Sequence, residues 1–122
     1  ERVEIIGDMT FMQCQSLKQI NIPKSVQKIG ETAFWMCWDL ERVHIPEELK
    51  SIGYGAFEGT ALTTLYIPSS VETIEETIVD DGVVLYFGHD SKPEGWSDLY
   101  NESETCKYGY TYEEYEAEIS NL

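Results

Sequence analysis

Apolar positions along this chain recur at a fixed spacing. Phe11, Phe34 and Phe57 stand 23 residues apart, and each opens the same pattern of apolar and polar positions. After each phenylalanine come Cys or Thr, then Leu, an apolar-x-apolar-Pro step, and an apolar-x-x-Ile pair. The three segments are FMQCQSLKQINIPKSVQKIGETA (11–33), FWMCWDLERVHIPEELKSIGYGA (34–56) and FEGTALTTLYIPSSVETI (57–74). A period of this size marks a solenoid, in which no unit can bury its apolar face alone. Val3, Ile6, Gly7 and Phe11 match Val26, Ile29, Gly30 and Phe34 at the same offset. The chain is therefore expected to open inside a repeat, as part of a longer protein.

Each repeat predicts the same succession of elements. Leu17–Pro23, Leu40–Pro46 and Leu62–Pro68 end in apolar/polar alternation with branched side chains, the mark of a half-buried strand. Proline then removes a ladder donor and stops the strand. Val26-x-x-Ile29-Gly30, Leu49-x-x-Ile52-Gly53 and Val71-x-x-Ile74 predict a second short extended stretch, its glycine permitting a turn. Residues 31–37 and 54–57 predict one helical or 3-10 turn that plants phenylalanine inside. Coils of this kind stack about 4.8 Å apart, so equivalent strands form parallel sheets. The fold class is an α/β repeat solenoid.

These residues resemble the BspA-like, 23-residue class of leucine-rich repeat. Its motif runs Phe-x-x-Cys-x-x-Leu-x-x-Ile-x-Ile-Pro-x-x-Val-x-x-Ile-Gly-x-x-Ala-Phe, and the match covers about residues 3–78. The third repeat departs from it by a deletion between Thr60 and Leu62 and by Glu75 in place of glycine. The stretch from Leu85 through Lys92, Pro93, Gly95 and Trp96 to Asn101, Gly109 and Tyr110 resembles the terminal segment of such arrays. The resemblance implies a right-handed coil, a last strand at Val83–Phe87 and a following loop that closes the core. It also implies a bacterial surface or secreted protein engaged in adhesion, with a protein as ligand.

Two domains are expected: repeats over 1–78 and an acidic C-terminal cap over 79–122. The last coil of a solenoid exposes apolar side chains and unpaired strand groups, which must be covered. Trp96, Tyr100, Tyr108, Tyr110, Tyr112 and Tyr115 supply the area. Thr111 and Glu114 have the spacing of a capping box, and Tyr112, Tyr115, Ile119 and Leu122 would lie on one helix face. A frayed acidic tail over 113–122 is the alternative. The first coil has no comparable cap, so weak self-association through that N-terminal edge is expected.

Charge narrows the partners. The net charge is -15. Residues 1–78 carry 12 acidic and 6 basic side chains, net -6, and residues 79–122 carry 11 and 2, net -9. Such a surface keeps a solenoid soluble, and it disfavours nucleic acid and anionic membrane, both of which need clustered Lys and Arg. The longest apolar run, 82–88, is far short of the roughly 20 residues that cross a bilayer, so no membrane insertion is expected.

Little of the chain carries catalytic chemistry. Cys14 and Cys37 share one register with Thr60, so they read as buried small side chains, not a disulfide or metal site. Cys106 stands alone. His44 and His89 accompany no nucleophile motif, and Asp80-Asp81-Gly82 lacks the alternating ligands of a calcium loop. Gly53 and Gly55 lack phosphate-loop spacing. No enzyme activity and no cofactor are expected.

Binding is the expected role. With Ile20 and Ile22 inward, neighbouring positions face outward in two columns: Gln19, Arg42, Thr64 and Asn21, His44, Tyr66. Trp35 and Trp38, flanking the Cys37 register, form a second candidate surface. The alternatives are a spacer or assembly module, or a carbohydrate-binding module using exposed aromatic rings.

Overall fold

The computed structural model describes residues 3–75, 77–94, 96 and 106–121 of the chain. Tyr100, Asn101, Gly95 and Leu122, which the expected cap includes, lie outside the described residues. The chain winds into a solenoid of about four turns. Short parallel strands run down two of its sides. One side stacks β1 (Ile5–Ile6), β3 (Lys28–Ile29), β5 (Ser51–Ile52) and β7 (Thr73–Ile74) in that order. Ile6, Ile29, Ile52 and Ile74 occupy one register of that sheet and all are buried, which is how the apolar-x-x-Ile pair builds a core wall.

The second side carries the apolar-x-apolar-Pro strands. There β2 (Gln19–Asn21) pairs with β4 (Arg42–His44), Gln19 opposite Arg42 and Asn21 opposite His44. The next strand, β6 (Thr64–Ile67), opens a separate sheet with β8 (Val84–Phe87) and β9 (Cys106–Lys107). The expected columns thus hold between the first two strands and lose ladder pairing at the third. The break coincides with the residue missing between Thr60 and Leu62. In its place Thr64 pairs with Val84 and Tyr66 with Tyr86.

The third side corrects one expectation. Residues 31–37 do not form a helical turn. They make consecutive turns closed by Trp35 N–H to the Thr32 carbonyl (3.1 Å) and Cys37 N–H to the Phe34 carbonyl (3.2 Å). Thr32 and Met36 adopt positive φ, 49° and 60°. That reversal turns every second amide sideways: the N–H groups of Thr32, Phe34 and Met36 donate to Tyr54, Ala56 and Glu58 of the next coil at 2.7–2.8 Å. A helix would have spent those donors within its own coil. Turns with lateral hydrogen bonds satisfy the backbone and fasten coil to coil together.

Phenylalanine fills the interior of this side. The Phe11 and Phe34 rings stack at 5.2 Å and 9°, and Phe34 and Phe57 at 5.3 Å and 7°. The glycines do a different job from the expected one. Gly30 and Gly53 do not have positive φ; a Cβ on either would lie 2.6 Å from a backbone nitrogen of the preceding coil, Asp8 or Glu31. Glycine is required there because two backbones touch. Cys37 is buried and its thiol donates to the Phe11 carbonyl, whereas Cys14, on the first coil, is only half-buried, because no further coil covers it in this structure. Burial pushes the Cys37 thiol pKa up.

The ladder predicts an order of damage. Phe34 is fully buried between two rings, so Phe34→Ala is expected to cost about 3–5 kcal/mol. Phe11→Ala removes a half-exposed ring stacked on one side only and is expected to cost less. Urea unfolding of both variants measures the order, and a larger loss for Phe11→Ala would contradict this account of the core.

Candidate functional site

The residues after β9 return across the outer face of β6 and β8. Thr111 caps α1 (Tyr112–Ile119) with a capping box: its Oγ1 accepts from Glu114 N–H at 3.1 Å, and its own N–H donates to Glu114 Oε1 at 2.9 Å. Two acidic residues, Glu113 and Glu114, in the first turn suit the positive end of the helix dipole. The frayed-tail alternative does not hold for 112–119. Tyr112, Tyr115 and Ile119 share the inward face as the spacing predicts. They join Tyr66, Tyr86, Val84 and Tyr110 in an apolar cluster separate from the solenoid core.

Rings in this cluster meet edge to face. Tyr86 packs against Tyr110 and Tyr115 at 5.0 Å each, and Tyr66 against Tyr112 at 5.7 Å. Their hydroxyls are all used. Tyr66 donates to the Tyr110 carbonyl at 2.7 Å, Tyr115 shares a 2.8 Å bond with Thr64, and Tyr112 donates to Glu116 at 2.9 Å. Buried tyrosines need such partners, and each bond here ties α1 or its approach to the sheet.

This docking decides what remains of the two expected columns. Gln19 and Asn21 on β2 are exposed. Arg42 is exposed but committed, its guanidinium donating to Glu116 of α1 at 2.5 Å. His44 is half-buried with its ring edge-on to Tyr112 at 4.7 Å, and Thr64 is half-buried under Tyr115. Tyr66 keeps only 5% of its surface. The columns face outward from the core, as read from the alternation, but α1 lies over their later members. Val84 and Tyr86 extend the same face and were not anticipated. The signal was present, since Leu65-Tyr66-Ile67 and Leu85-Tyr86-Phe87 repeat an apolar-Tyr-apolar triplet.

Glu118 is the electrostatic anchor of α1. Its carboxylate accepts from Lys107 Nζ at 2.7 Å, Tyr86 Oη at 2.7 Å and Tyr110 Oη at 2.8 Å. These donors, Lys107 first, hold its pKa at about 2 against the usual 4.5. Lys107 also lies over the Tyr86 ring, 5.2 Å from its centre. Burial first, then the charges of Glu47, Glu113 and Glu114, push the Tyr66 hydroxyl up to about 12.

The second candidate surface lies on the turns. Trp38 is 53% exposed, while Trp35 is half-buried. Met9, Met12 and Tyr54, also exposed, sit on the same turn side in neighbouring coils. The backbone of Gln13 donates to the Trp35 carbonyl, which sets the Met12 register beside that of Trp35.

Other polar residues act structurally. His89 Nε2 meets the Val71 carbonyl at 2.8 Å and its ring packs edge-on against Trp96. Asp80 accepts from Gly59 N–H with both oxygens. Among the described residues no group of three or more His, Cys, Asp and Glu could hold a metal ion, and no helix is long and apolar enough to cross a membrane.

Residues 1–81 match the family model described as BspA type leucine-rich repeat region, in six copies. Two solved structures are similar. A leucine-rich repeat protein from Bacteroides capillosus is 31% identical, with 70% of this chain and 63% of that one covered and a TM-score of 0.64. A leucine-rich repeat protein from Bacteroides ovatus is 27% identical, with 78% and 30% covered and a TM-score of 0.49. This chain therefore spans less than two thirds of the first structure's length. No curated protein matches it.

Glu118 gives the docked helix a pH dependence. Its folded pKa is depressed, so its contribution is complete above 4.5 and disappears as pH falls through about 2. Near-UV circular dichroism of the tyrosine cluster is expected to fade across that window. In Glu118→Gln the signal should be weaker at neutral pH and most of the acid transition gone. A variant that titrates like the parent would refute this role.

Proposed function

This chain belongs to the BspA type leucine-rich repeat family, and from that premise we propose that it is a non-catalytic protein-recognition module. The observation that carries the reading is the exposure of Trp38, with Met9, Met12 and Tyr54 also exposed on the turns of the first three coils. A large ring left half in water is the kind of side chain that an interface can bury. Tryptophan and tyrosine are also the residues that most often dominate interface energetics. Gln19 and Asn21 offer the polar remainder of the sheet face. Family membership supports display at the cell surface or secretion and an adhesive role; the ligand is then a host, matrix or cell-surface protein.

A second reading, a spacer or assembly module, draws on α1, which occupies the sheet face over β6 and β8. The carbohydrate alternative loses support because the tail tyrosines pack on one another edge to face and leave few flat platforms.

Surface plasmon resonance against a panel of immobilised extracellular-matrix proteins tests the reading. At least one is expected to retain the chain, and Met12→Ser/Trp38→Ser is expected to lose tenfold or more in affinity with an unchanged urea midpoint. Silence across the panel, or a variant that binds like the parent, overturns it. The exposed Val3, Ile5 and Met9 of the first coil should also support weak self-association, opposed by the net charge. Sedimentation velocity over a hundredfold concentration range is expected to show a rising mean mass; a constant monomer mass would exclude it.

A further inference from the structure

Two cations of this chain are taken up against α1 in the same way. Lys107 is held by Glu118 with the Tyr86 ring beneath it, and Glu118 is in turn hydrogen-bonded by Tyr86 and Tyr110. Arg42 is held by Glu116, which is hydrogen-bonded by Tyr112. Both arrangements combine a carboxylate, a tyrosine hydroxyl bonded to it and one positive group, and Lys107 also lies over a ring.

A related arrangement, with carboxylates and aromatic rings but no positive group, includes Tyr112 as well. There a cleft of about 470 Å³ opens between the end of β4, β6 and the start of α1. His44, Tyr66, Tyr110 and Tyr112 line it, and Glu47 and Glu113 stand at its walls, both exposed. His44 and Tyr112 meet edge-on at 4.7 Å, as do Tyr66 and Tyr112 at 5.7 Å, so the rings form a corner and not a closed stack. No Lys or Arg among the described residues pairs with Glu47 or Glu113; Arg42, the nearby cation, is engaged by Glu116.

We propose that this cleft takes a positively charged side chain, Lys or Arg, from a basic segment of a protein partner. Aromatic faces attract a cation within about 6 Å of the ring centre, and a flanking carboxylate adds charge complementarity. Three full negative charges, Glu47, Glu113 and Glu114, bear on the Tyr66 hydroxyl, against a partial positive charge of about one half at the start of α1. A chain of net charge -15 steers a basic segment towards such a cleft, and repels an acidic one. The inference rests on the reading of this chain as a recognition module, but it concerns the sheet face and not the Trp38 patch.

The test is a titration of the 15N-labelled chain, followed by NMR, with the blocked peptide acetyl-Gly-Arg-Gly-Lys-Gly-amide and with its Glu-for-Arg/Lys counterpart. The basic peptide is expected to shift amides at His44, Glu47 and Thr111–Glu113 in a saturable manner, and the acidic peptide to shift none. Glu47→Gln/Glu113→Gln is expected to weaken the basic peptide fivefold or more. Glu4→Gln/Glu75→Gln removes the same charge from remote exposed positions and is expected to change affinity less than twofold. Equal weakening by both pairs, or shifts scattered over the acidic surface, would reduce the effect to general charge attraction and overturn the proposal. Shifts with a neutral oligosaccharide, and none with the basic peptide, would overturn it in favour of a sugar site. Loss of this effect with matrix-protein binding intact at the Trp38 patch would leave the recognition reading standing and remove only the cleft.

Discussion

Backbone contact between successive coils is the constraint on which this structure depends. At Gly30 and Gly53 the preceding coil passes so close that a single Cβ would overlap a main-chain nitrogen. That approach fixes the coil spacing at about 5 Å, and the phenylalanine rings adopt it, stacking at 5.2 and 5.3 Å. The corners obey it too. Thr32 and Met36 accept left-handed φ, which side chains with a Cβ normally avoid, because the reversal aims three amides at the neighbouring coil. Local conformational cost is offset by lateral hydrogen bonds, so no coil is stable without its neighbours.

Such a stack has no internal reason to stop, and its termination must come from a change in sequence. Strand pairing lapses between β4 and β6, where the repeat lacks a residue after Thr60, and a new sheet starts there. On that sheet the outward register of Asn21 and His44 becomes aromatic, Tyr66 and Tyr86. Outward tyrosines would make a sticky face, and α1 covers them. Arg42 joins the two regions, since it belongs to the older sheet and pairs with the helix that covers the newer one.

The sequence made the coil, its phenylalanine column and the inward isoleucines legible because period and alternation report burial directly. Thr111 and Glu114 announced the helix start for the same kind of reason, a local pairing at fixed spacing. What stayed hidden was long-range. Nothing within the 23-residue period says that α1 will lie over His44 and Tyr66, since the contact joins positions far apart in sequence. The corner geometry was hidden differently: residues 31–37 have acceptable helix propensity, and only the partner coil makes turns the better use of their amides. The two tryptophans were separable only in three dimensions, Trp35 half-buried and Trp38 open.

On the proposed reading of the Trp38 side as a recognition surface, charge sets its selectivity. Against 23 acidic side chains the chain has 8 basic ones, of which Arg42 and Lys107 are committed to fastening α1 and Lys50 stands near Glu72. Asp39 follows Trp38 directly and Glu41 comes two residues later, and both are exposed. An apolar patch set among carboxylates does not invite indiscriminate association, because most soluble proteins and further copies of this chain approach it against repulsion. On that reading a partner brings apolar surface and a charge pattern that tolerates or complements acid. Affinity would then come from the buried indole, and discrimination from the carboxylates around it.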